Sequence, residues 1–148
     1  LARALLGERA RVAGVVLEKL SHERIDTPEF AIPEHAVVLH VSHPATVEHK
    51  VHGAYRRFLH GPGNICLFSA GASRQLRSSE PHKILTMTIS PNLVGPGVEL
   101  AEHRDLRDGR IQHLVRGLEL EAEAGYPLGA LYGESLGLGL AICKQLTD

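Results

Sequence analysis

The 148 residues include 43% hydrophobic and 22% charged side chains, an ordinary balance for one globular domain with a hydrophobic core. The formal net charge is -1 at pH 7, so no overall positive field would draw the chain to nucleic acid or to an anionic membrane. No apolar run approaches the roughly 18 residues that a membrane span requires. Residues 1–6 are too few, and too soon followed by charge, to form a signal peptide.

The two cysteines, Cys66 and Cys143, lie far apart, and neither belongs to a Cys-x-x-Cys pair. The simplest interpretation is that both are buried free thiols in a protein of the reducing cytoplasm. The sequence does not begin with Met, and we therefore expect a fragment or a processed form of a longer protein.

The first element is predicted over residues 11–20, where β-branched side chains dominate and favour a strand. A helix is the alternative, against which Gly14 argues. Residues 21–33 contain two prolines and several charges and are predicted to be a loop.

Residues 35–43 alternate regularly, as in a strand with two different faces. One face carries Val37, Leu39 and Val41, and the other carries Val38, His40 and Ser42. Pro44 ends this strand. Residues 47–60 are long enough for one bent strand, or for two strands that are broken at Gly53.

A turn, a short apolar strand and a second turn are predicted over residues 61–71. The Gly61-Pro62-Gly63 run reverses the chain, and residues 65–68 are too few for a helix. Residues 73–78 are polar and resemble an edge strand, whereas residues 83–90 form a regular strand with two faces. These faces carry Ile84, Thr86 and Thr88 on one side and Leu85, Met87 and Ile89 on the other. Such a series of short strands predicts a sandwich or a barrel.

Helical signals follow the strands, which gives an α+β order. Ser90 followed by Pro91 predicts a brief helix that ends at residues 95–97, and residues 98–106 are predicted to be a loop. Asp108 is predicted to cap a longer helix that stops near Gly125 and Pro127. Its core positions recur at helical spacing: Ile111, Leu114, Val115, Leu118 and Ala122.

The last predicted element, residues 128–146, carries a small residue at every fourth position. The members of this stripe are Gly129, Gly133, Gly137 and Ala141. Each glycine costs a helix about 1 kcal/mol relative to alanine, so the stripe indicates close packing. Its partner is either the preceding helix or the same helix of a second subunit.

The segment 61–71 resembles the second half of the cupin signature. Gly63, Asn64 and Gly71 match that pattern, whereas Ser69 stands in the place of its proline and Arg74 in the place of its metal-binding histidine. The resemblance implies a cupin-like β-barrel, or double-stranded β-helix, over residues 1–90. Two or three helices would then follow in residues 91–148 of the same domain. It also implies a container for a ligand rather than a metalloenzyme.

Residues 108–114, 121–125 and 129–136 resemble the sensor half of AraC-family bacterial transcription regulators, and the likeness extends over residues 12–146. This resemblance implies a domain that binds a small-molecule effector, forms a homodimer and controls a DNA-binding unit with two helix-turn-helix motifs. The dimerisation residues would be Leu131, Ser135, Leu138 and Ile142. No basic helix or helix-turn-helix pattern follows residue 128, so DNA would be contacted only through a domain outside this sequence.

Ten histidines invite a metal hypothesis, but the cupin metal site requires a His-x-His pair that this sequence lacks. His40 and His43 are three residues apart, as are His49 and His52, and this spacing places the members of each pair on opposite faces of a strand. We therefore predict no metal and no cofactor.

Catalysis is not predicted either. Cys66 lies in an apolar strand without an adjacent histidine or basic group, and Ser69 lacks a nucleophile-elbow motif. We expect a protein that is not an enzyme. The open alternatives are a small stand-alone cupin enzyme of the metal-dependent isomerase or dioxygenase type, and a barrel that serves only for oligomerisation.

For the effector pocket, the candidate ligand-binding residues are His40, Tyr55 and Arg57. His40 shares a strand face with Val38, and Tyr55 shares one with Arg57, whose guanidinium could hold a carboxylate through two hydrogen bonds. The alternative is that Arg56 and Arg57 are solvated surface charges.

Overall fold

A computed structural model describes residues 3–12, 15–95, 97 and 99–123. The strands of this part are β1 (Arg3–Val12), β2 (Val15–His22), β3 (Ile25–Asp26), β4 (His35–His40), β5 (Ala45–Val51), β6 (Ala54–His60), β7 (Ile65–Phe68), β8 (Leu76–Ser78), β9 (His82–Ile89) and β10 (His103–Leu106). The helices are α1 (Pro91–Val94) and α2 (Gly109–Glu123). None of the described helices is long and apolar enough to cross a membrane.

The strands form two antiparallel sheets. One has six strands in the order β1-β2-β9-β4-β7-β10, and the other has four in the order β3-β8-β5-β6. From β2 to β9 the chain passes repeatedly from one sheet to the other, so that β2-β9-β4-β7 face β3-β8-β5-β6. This is the eight-stranded jelly-roll order found in cupins, which confirms the predicted double-stranded β-helix.

The first predicted strand is two strands. Instead of a single element over residues 11–20, β1 and β2 pair as an antiparallel hairpin in which Val12 lies opposite Val15. Residues 13–14 lie outside the described part. The β-branched run therefore belongs to both arms of the hairpin, and the prediction of one continuous strand was wrong.

Gly53 does break the segment 47–60, and the result is a hairpin of β5 and β6. Val51 lies opposite Ala54, and the two residues between them, His52 and Gly53, have φ values of 52° and 82°. Two-residue turns with positive φ at both positions match the right-handed twist of paired strands, and glycine adopts this conformation without steric cost.

Three short strands differ from the predictions. The predicted loop over residues 21–33 contains β3, and the predicted loop over residues 98–106 contains β10, which pairs with β7. The predicted edge segment contains β8, which lies between β3 and β5 rather than at an edge. These strands are defined by hydrogen bonds to distant partners, so their own few residues carry little local signal. Because β10 follows residue 90, the sheet extends beyond the predicted boundary of the barrel.

Helix α2 covers one face of the six-stranded sheet. Asp108 Oδ1 accepts hydrogen bonds from the backbone N–H groups of Arg110 at 2.9 Å and of Ile111 at 3.4 Å, as predicted for a helix cap. The buried residues between helix and sheet are Val15, Leu17, Val37, Leu39, Ile65, Leu67, Leu85, Met87, Ile89, Ile111, Val115 and Leu118. The main apolar core therefore lies outside the sandwich, which leaves the space between the sheets for another use.

Several predictions fall on residues 124–148, which lie outside the described part. They include the helix stop at Gly125 and Pro127 and the last element over residues 128–146 with its small-residue stripe. The four predicted dimerisation residues fall there as well: Leu131, Ser135, Leu138 and Ile142.

Candidate functional site

A cavity of about 380 Å³ lies between the two sheets. The strand alternation that directs Val37 and Leu39 towards α2 directs Val38 and His40 into this cavity. Its apolar lining includes Leu20, Val38, Phe68 and Ile84 from the six-stranded sheet and Ile25, Val47 and Leu76 from the other sheet. The site is thus an apolar space between the sheets into which a small set of polar groups projects.

Five histidines line the cavity, and three of them form a stacked row. The ring centres of His22 and His82 are 4.9 Å apart, and those of His40 and His82 are 5.5 Å apart. His40 Nε2 lies 3.0 Å from the carbonyl oxygen of His43, so this nitrogen donates and Nδ1 carries the lone pair. Burial lowers the pKa of His22 to about 4 and also lowers the pKa of His40. His22 and His40 are therefore neutral hydrogen-bonding groups at physiological pH.

The other two histidines, His49 and His60, meet across the β5–β6 hairpin with their Nε2 atoms 3.0 Å apart. Mainly through burial, the pKa of His49 is lowered to about 3 and that of His60 to about 4. Both rings are therefore neutral, and one donates its proton towards the other.

Cys66 belongs to the same cluster. Its Sγ lies 3.9 Å from His60 Nε2 and donates to the carbonyl oxygen of Arg104 at 3.5 Å. The prediction that no histidine lies beside Cys66 was wrong, because β6 brings His60 to it from a different strand. Burial nevertheless raises the pKa of the thiol to about 12, so the free thiol is not a reactive nucleophile.

Arg74 places a positive charge in the cavity wall. Its guanidinium carbon lies 4.4 Å from the ring centre of Phe68 and 4.9 Å from that of Phe30. Among the residues that the structure describes, no carboxylate forms an ion pair with it. Burial lowers its pKa, which shows that the charge has lost part of its hydration.

The cupin metal site does not fit these residues. Arg74 occupies the position of the later metal-binding histidine, and a guanidinium has no lone pair with which to bind a cation. Its stacking on two aromatic rings holds that positive charge in the cavity. Arg74 therefore cannot serve as the metal ligand that the cupin motif has at this position.

The predicted ligand-binding residues do not lie together. His40 lines the cavity, but Tyr55 and Arg57 do not. On β6 the side chains of Phe58 and His60 turn inward, and Arg57, opposite Glu48 on β5, is exposed on the outer face. The expectation that Tyr55 and Arg57 point into the barrel was wrong, because both faces of this strand contain charged and apolar side chains and its alternation alone does not identify the inner one.

Sequence reasoning missed the roles of His49, His60, Cys66 and Arg74 as cavity residues. A pair of histidines on one strand can be recognised from its spacing in the sequence. His49, His60 and Cys66 cannot be recognised in this way, because they come from three strands, β5, β6 and β7. One local signal was present, since the buried Ala45, Val47 and His49 alternate with less buried polar residues of β5. That pattern places His49 on the inner face.

No protein-family model and no curated protein matches the chain. Among solved structures, it is similar to a cupin superfamily protein from Desulfitobacterium hafniense DCB-2, with 15% identity, 61% of this chain and 76% of that chain covered, and a TM-score of 0.45. A cupin domain from Bordetella pertussis Tohama I shows 11% identity, coverage of 61% and 92%, and a TM-score of 0.45. The EutQ protein of Clostridium difficile shows 10% identity, coverage of 60% and 66%, and a TM-score of 0.44.

The class of the domain follows from its own strand order. Eight strands in jelly-roll order around an internal cavity define a cupin-like β-sandwich domain.

Proposed function

We propose that this chain is the effector-binding domain of an AraC-type transcription regulator, and that its cavity binds a small molecule with an apolar body and an anionic group. The observation that carries the ligand class is Arg74, a partly buried cation without a carboxylate partner among the described residues. The regulator assignment is supported by the resemblance of residues 108–114, 121–125 and 129–136 to that family.

The chemistry of the cavity suits such a ligand. A volume of about 380 Å³ falls in the range of ordinary small-molecule pockets. A carboxylate can accept two parallel hydrogen bonds from a guanidinium, and this pair is stronger in an apolar pocket than in water. The body of the ligand would contact Val38, Phe68 and Ile84, while the neutral ring of His40 offers a hydrogen-bond partner for a hydroxyl or carbonyl group.

The ligand would act by shifting a conformational equilibrium. It would contact the inner face of β4 at Val38 and His40, and the outer face of the same strand packs against α2 through Val37 and Leu39. A ligand can shift populations only by binding one arrangement of sheet and helix better than the other. In this proposal the domain acts in the cytoplasm, without catalysis and without contact with a membrane.

DNA would be contacted by a helix-turn-helix domain outside this sequence. A homodimer formed through Leu131, Ser135, Leu138 and Ile142 would set the distance between two such domains, and hence the spacing of the DNA half-sites. Sedimentation velocity of the wild type and of Leu138→Glu tests this part. We expect a dimer that the substitution dissociates.

Calorimetry tests the ligand class with benzoate and octanoate, each compared with its uncharged amide. At least one of the two carboxylates should bind at least about tenfold more tightly than its amide, and Arg74→Leu should remove this difference. Arg57→Gln is the matched control because it removes a guanidinium on the outer face, and it should leave binding unchanged. Equal binding of acid and amide would refute the anionic ligand. Failure of both acids would favour a domain used only for oligomerisation.

The second candidate is a small stand-alone cupin enzyme of the metal-dependent isomerase or dioxygenase type. It is favoured by the cluster of His49, His60 and Cys66 in the cavity wall. Turnover of a small substrate by the metal-loaded chain would support this candidate, whereas ligand binding without turnover would support the sensor.

A further inference from the structure

Three groups that can bind a metal ion converge on one side of the cavity. The Nε2 atoms of His49 and His60 are 3.0 Å apart, and Cys66 Sγ lies 3.9 Å from His60 Nε2. All three ligand atoms lie within 4.8 Å of one another. Because β5 and β6 belong to one sheet and β7 to the other, the cluster joins the two sheets of the sandwich.

The cluster is buried, with relative exposures of 4% for His49, 4% for His60 and 5% for Cys66. The Nδ1 atoms of both rings are buried without a hydrogen-bond partner in the described part of the chain, as is Asn64 Oδ1 beside the cluster. An ion held by the Nε2 atoms would leave these Nδ1 atoms and Asn64 Oδ1 unpaired, so the observation that points to a metal is the convergence of the three ligand atoms.

We propose that His49 Nε2, His60 Nε2 and Cys66 Sγ bind a Zn²⁺ ion, with a fourth position open to the cavity. Imidazole nitrogen and thiolate sulfur are the ligands that zinc prefers, and three protein ligands with one open position are typical of zinc sites that bind a further molecule. With ordinary bond lengths, a tetrahedral zinc ion holds two nitrogens about 3.3 Å apart and a nitrogen and a sulfur about 3.6 Å apart. The observed nitrogen–nitrogen and His60–Cys66 distances differ from these by only a few tenths of an ångström.

This site goes beyond the proposed binding of an anionic effector. It uses none of the positions of the cupin motif, where Arg74 stands instead of a histidine. With its proton on Nδ1, each imidazole presents an Nε2 lone pair to the ion. Cys66 would bind as a thiolate, so the thiol proton, which now points to the carbonyl oxygen of Arg104, would be released to solvent as the ion binds. An ion on these ligands would give the pocket a second positive charge in addition to that of Arg74.

The test is a titration of the chelator-treated, tag-free wild-type chain with ZnCl₂ in a calorimeter. We expect a single site of micromolar or higher affinity. Titration with Co²⁺ adds a spectroscopic measurement, because a bound thiolate gives an intense charge-transfer absorption that imidazole and carboxylate ligands do not. Absence of a zinc site, or cobalt binding without that absorption, would overturn the proposal.

Variants locate the site. His49→Gln and Cys66→Ser should each weaken zinc binding more than about 100-fold, beyond the usual effect of losing a group outside the ligand set. His22→Gln is the control, since it removes an imidazole from the same cavity but not from the cluster. Circular dichroism establishes that each variant is folded. If Cys66→Ser does not fold, the cobalt spectrum of the wild type still shows whether the thiolate of Cys66 binds the ion.

Arg74→Leu separates this inference from the proposed function. The variant should bind zinc at least as tightly as the wild type, because it removes a positive charge that acts on His49 and Cys66, while it loses the preference for carboxylates. Zinc binding that persists in both His49→Gln and Cys66→Ser would show that the ion lies on other histidines, and the inference would then be rejected.

Discussion

The guanidinium of Arg74 lies 4.4 Å from the ring centre of Phe68, which is the last residue of β7. Arg104, which follows in β10, lies 5.5 Å from the same ring. A cation against an aromatic face gains about 0.5–2 kcal/mol, more when it is desolvated, and this gain offsets part of the cost of burying the charge. Phe68 therefore stabilises a charge that forms no ion pair with a carboxylate in the described part of the chain.

Replacing Arg74 by Met should stabilise the fold. The apolar side chain has a similar length and carries no charge that must be desolvated, so we expect the free energy of unfolding to rise by about 1 kcal/mol. Urea denaturation measures the change, and Arg57→Met on the outer face should stay within about 0.5 kcal/mol of the wild type. A large loss of stability in Arg74→Met would show that the guanidinium is a structural group rather than one reserved for a ligand.

Acid should weaken the fold at a higher pH than carboxylate titration alone predicts. Burial lowers the pKa of His22 to about 4, whereas an unfolded imidazole titrates near about 6.5. Between these values the unfolded chain binds more protons than the folded one, so stability is complete above about pH 6.5 and falls as the pH decreases towards about 4. His49 and His60 act in the same direction.

Urea midpoints at about pH 7.5 and about pH 5 measure this dependence, to which each such imidazole contributes up to about 1.4 kcal/mol per pH unit. His22→Phe keeps an aromatic ring against His82 and should flatten the dependence. The exposed Arg57 supplies the control, since Arg57→Gln removes no imidazole and should leave the slope as it is. An unchanged slope in His22→Phe would contradict the assignment to His22.

The cap at Asp108 should contribute to the stability of α2. Asp108→Ala removes the acceptor for two backbone N–H groups, and we expect a loss of about 1 kcal/mol. Asp108→Asn keeps a side-chain oxygen that caps nearly as well, so it should cost less than Asp108→Ala. If the two substitutions cost the same, the ion pair with Arg110, at 2.7 Å, would be the important interaction instead.

Docking of α2 should depend on its buried face alone. Leu118 is fully buried between helix and sheet, and Leu118→Ala should cost about 2–5 kcal/mol. Leu120, which is 66% exposed, provides the matched control on the same helix, and Leu120→Ala should change stability by less than about 0.5 kcal/mol. Thermal unfolding followed by circular dichroism compares the two. Similar losses in both variants would indicate that a further part of the protein covers Leu120.

The sequence by itself determined the features that local chemistry controls. Strict alternation in β9 placed Ile84 and Leu85 on opposite faces, since neighbouring side chains on a strand point to opposite faces. The structure then shows that Ile84 lines the cavity and that Leu85 packs in the core against α2. The cap at Asp108 was predicted, and the break at Gly53 was one of two alternatives, because each depends on the conformational or hydrogen-bonding preference of one residue.

Only the tertiary structure decided the site. His49, His60 and Cys66 come from three strands, and Arg74 meets Phe68 across a turn and a change of sheet, so no spacing in the sequence brings them together. The short strands β3 and β10 likewise exist through hydrogen bonds to distant partners. Of the residues predicted for the pocket, His40 lines the cavity while Tyr55 and Arg57 lie outside it. Local preferences act over a few residues, whereas a cavity between two sheets is formed by strand pairing over tens of residues, and that pairing determines which charges and ligands share it.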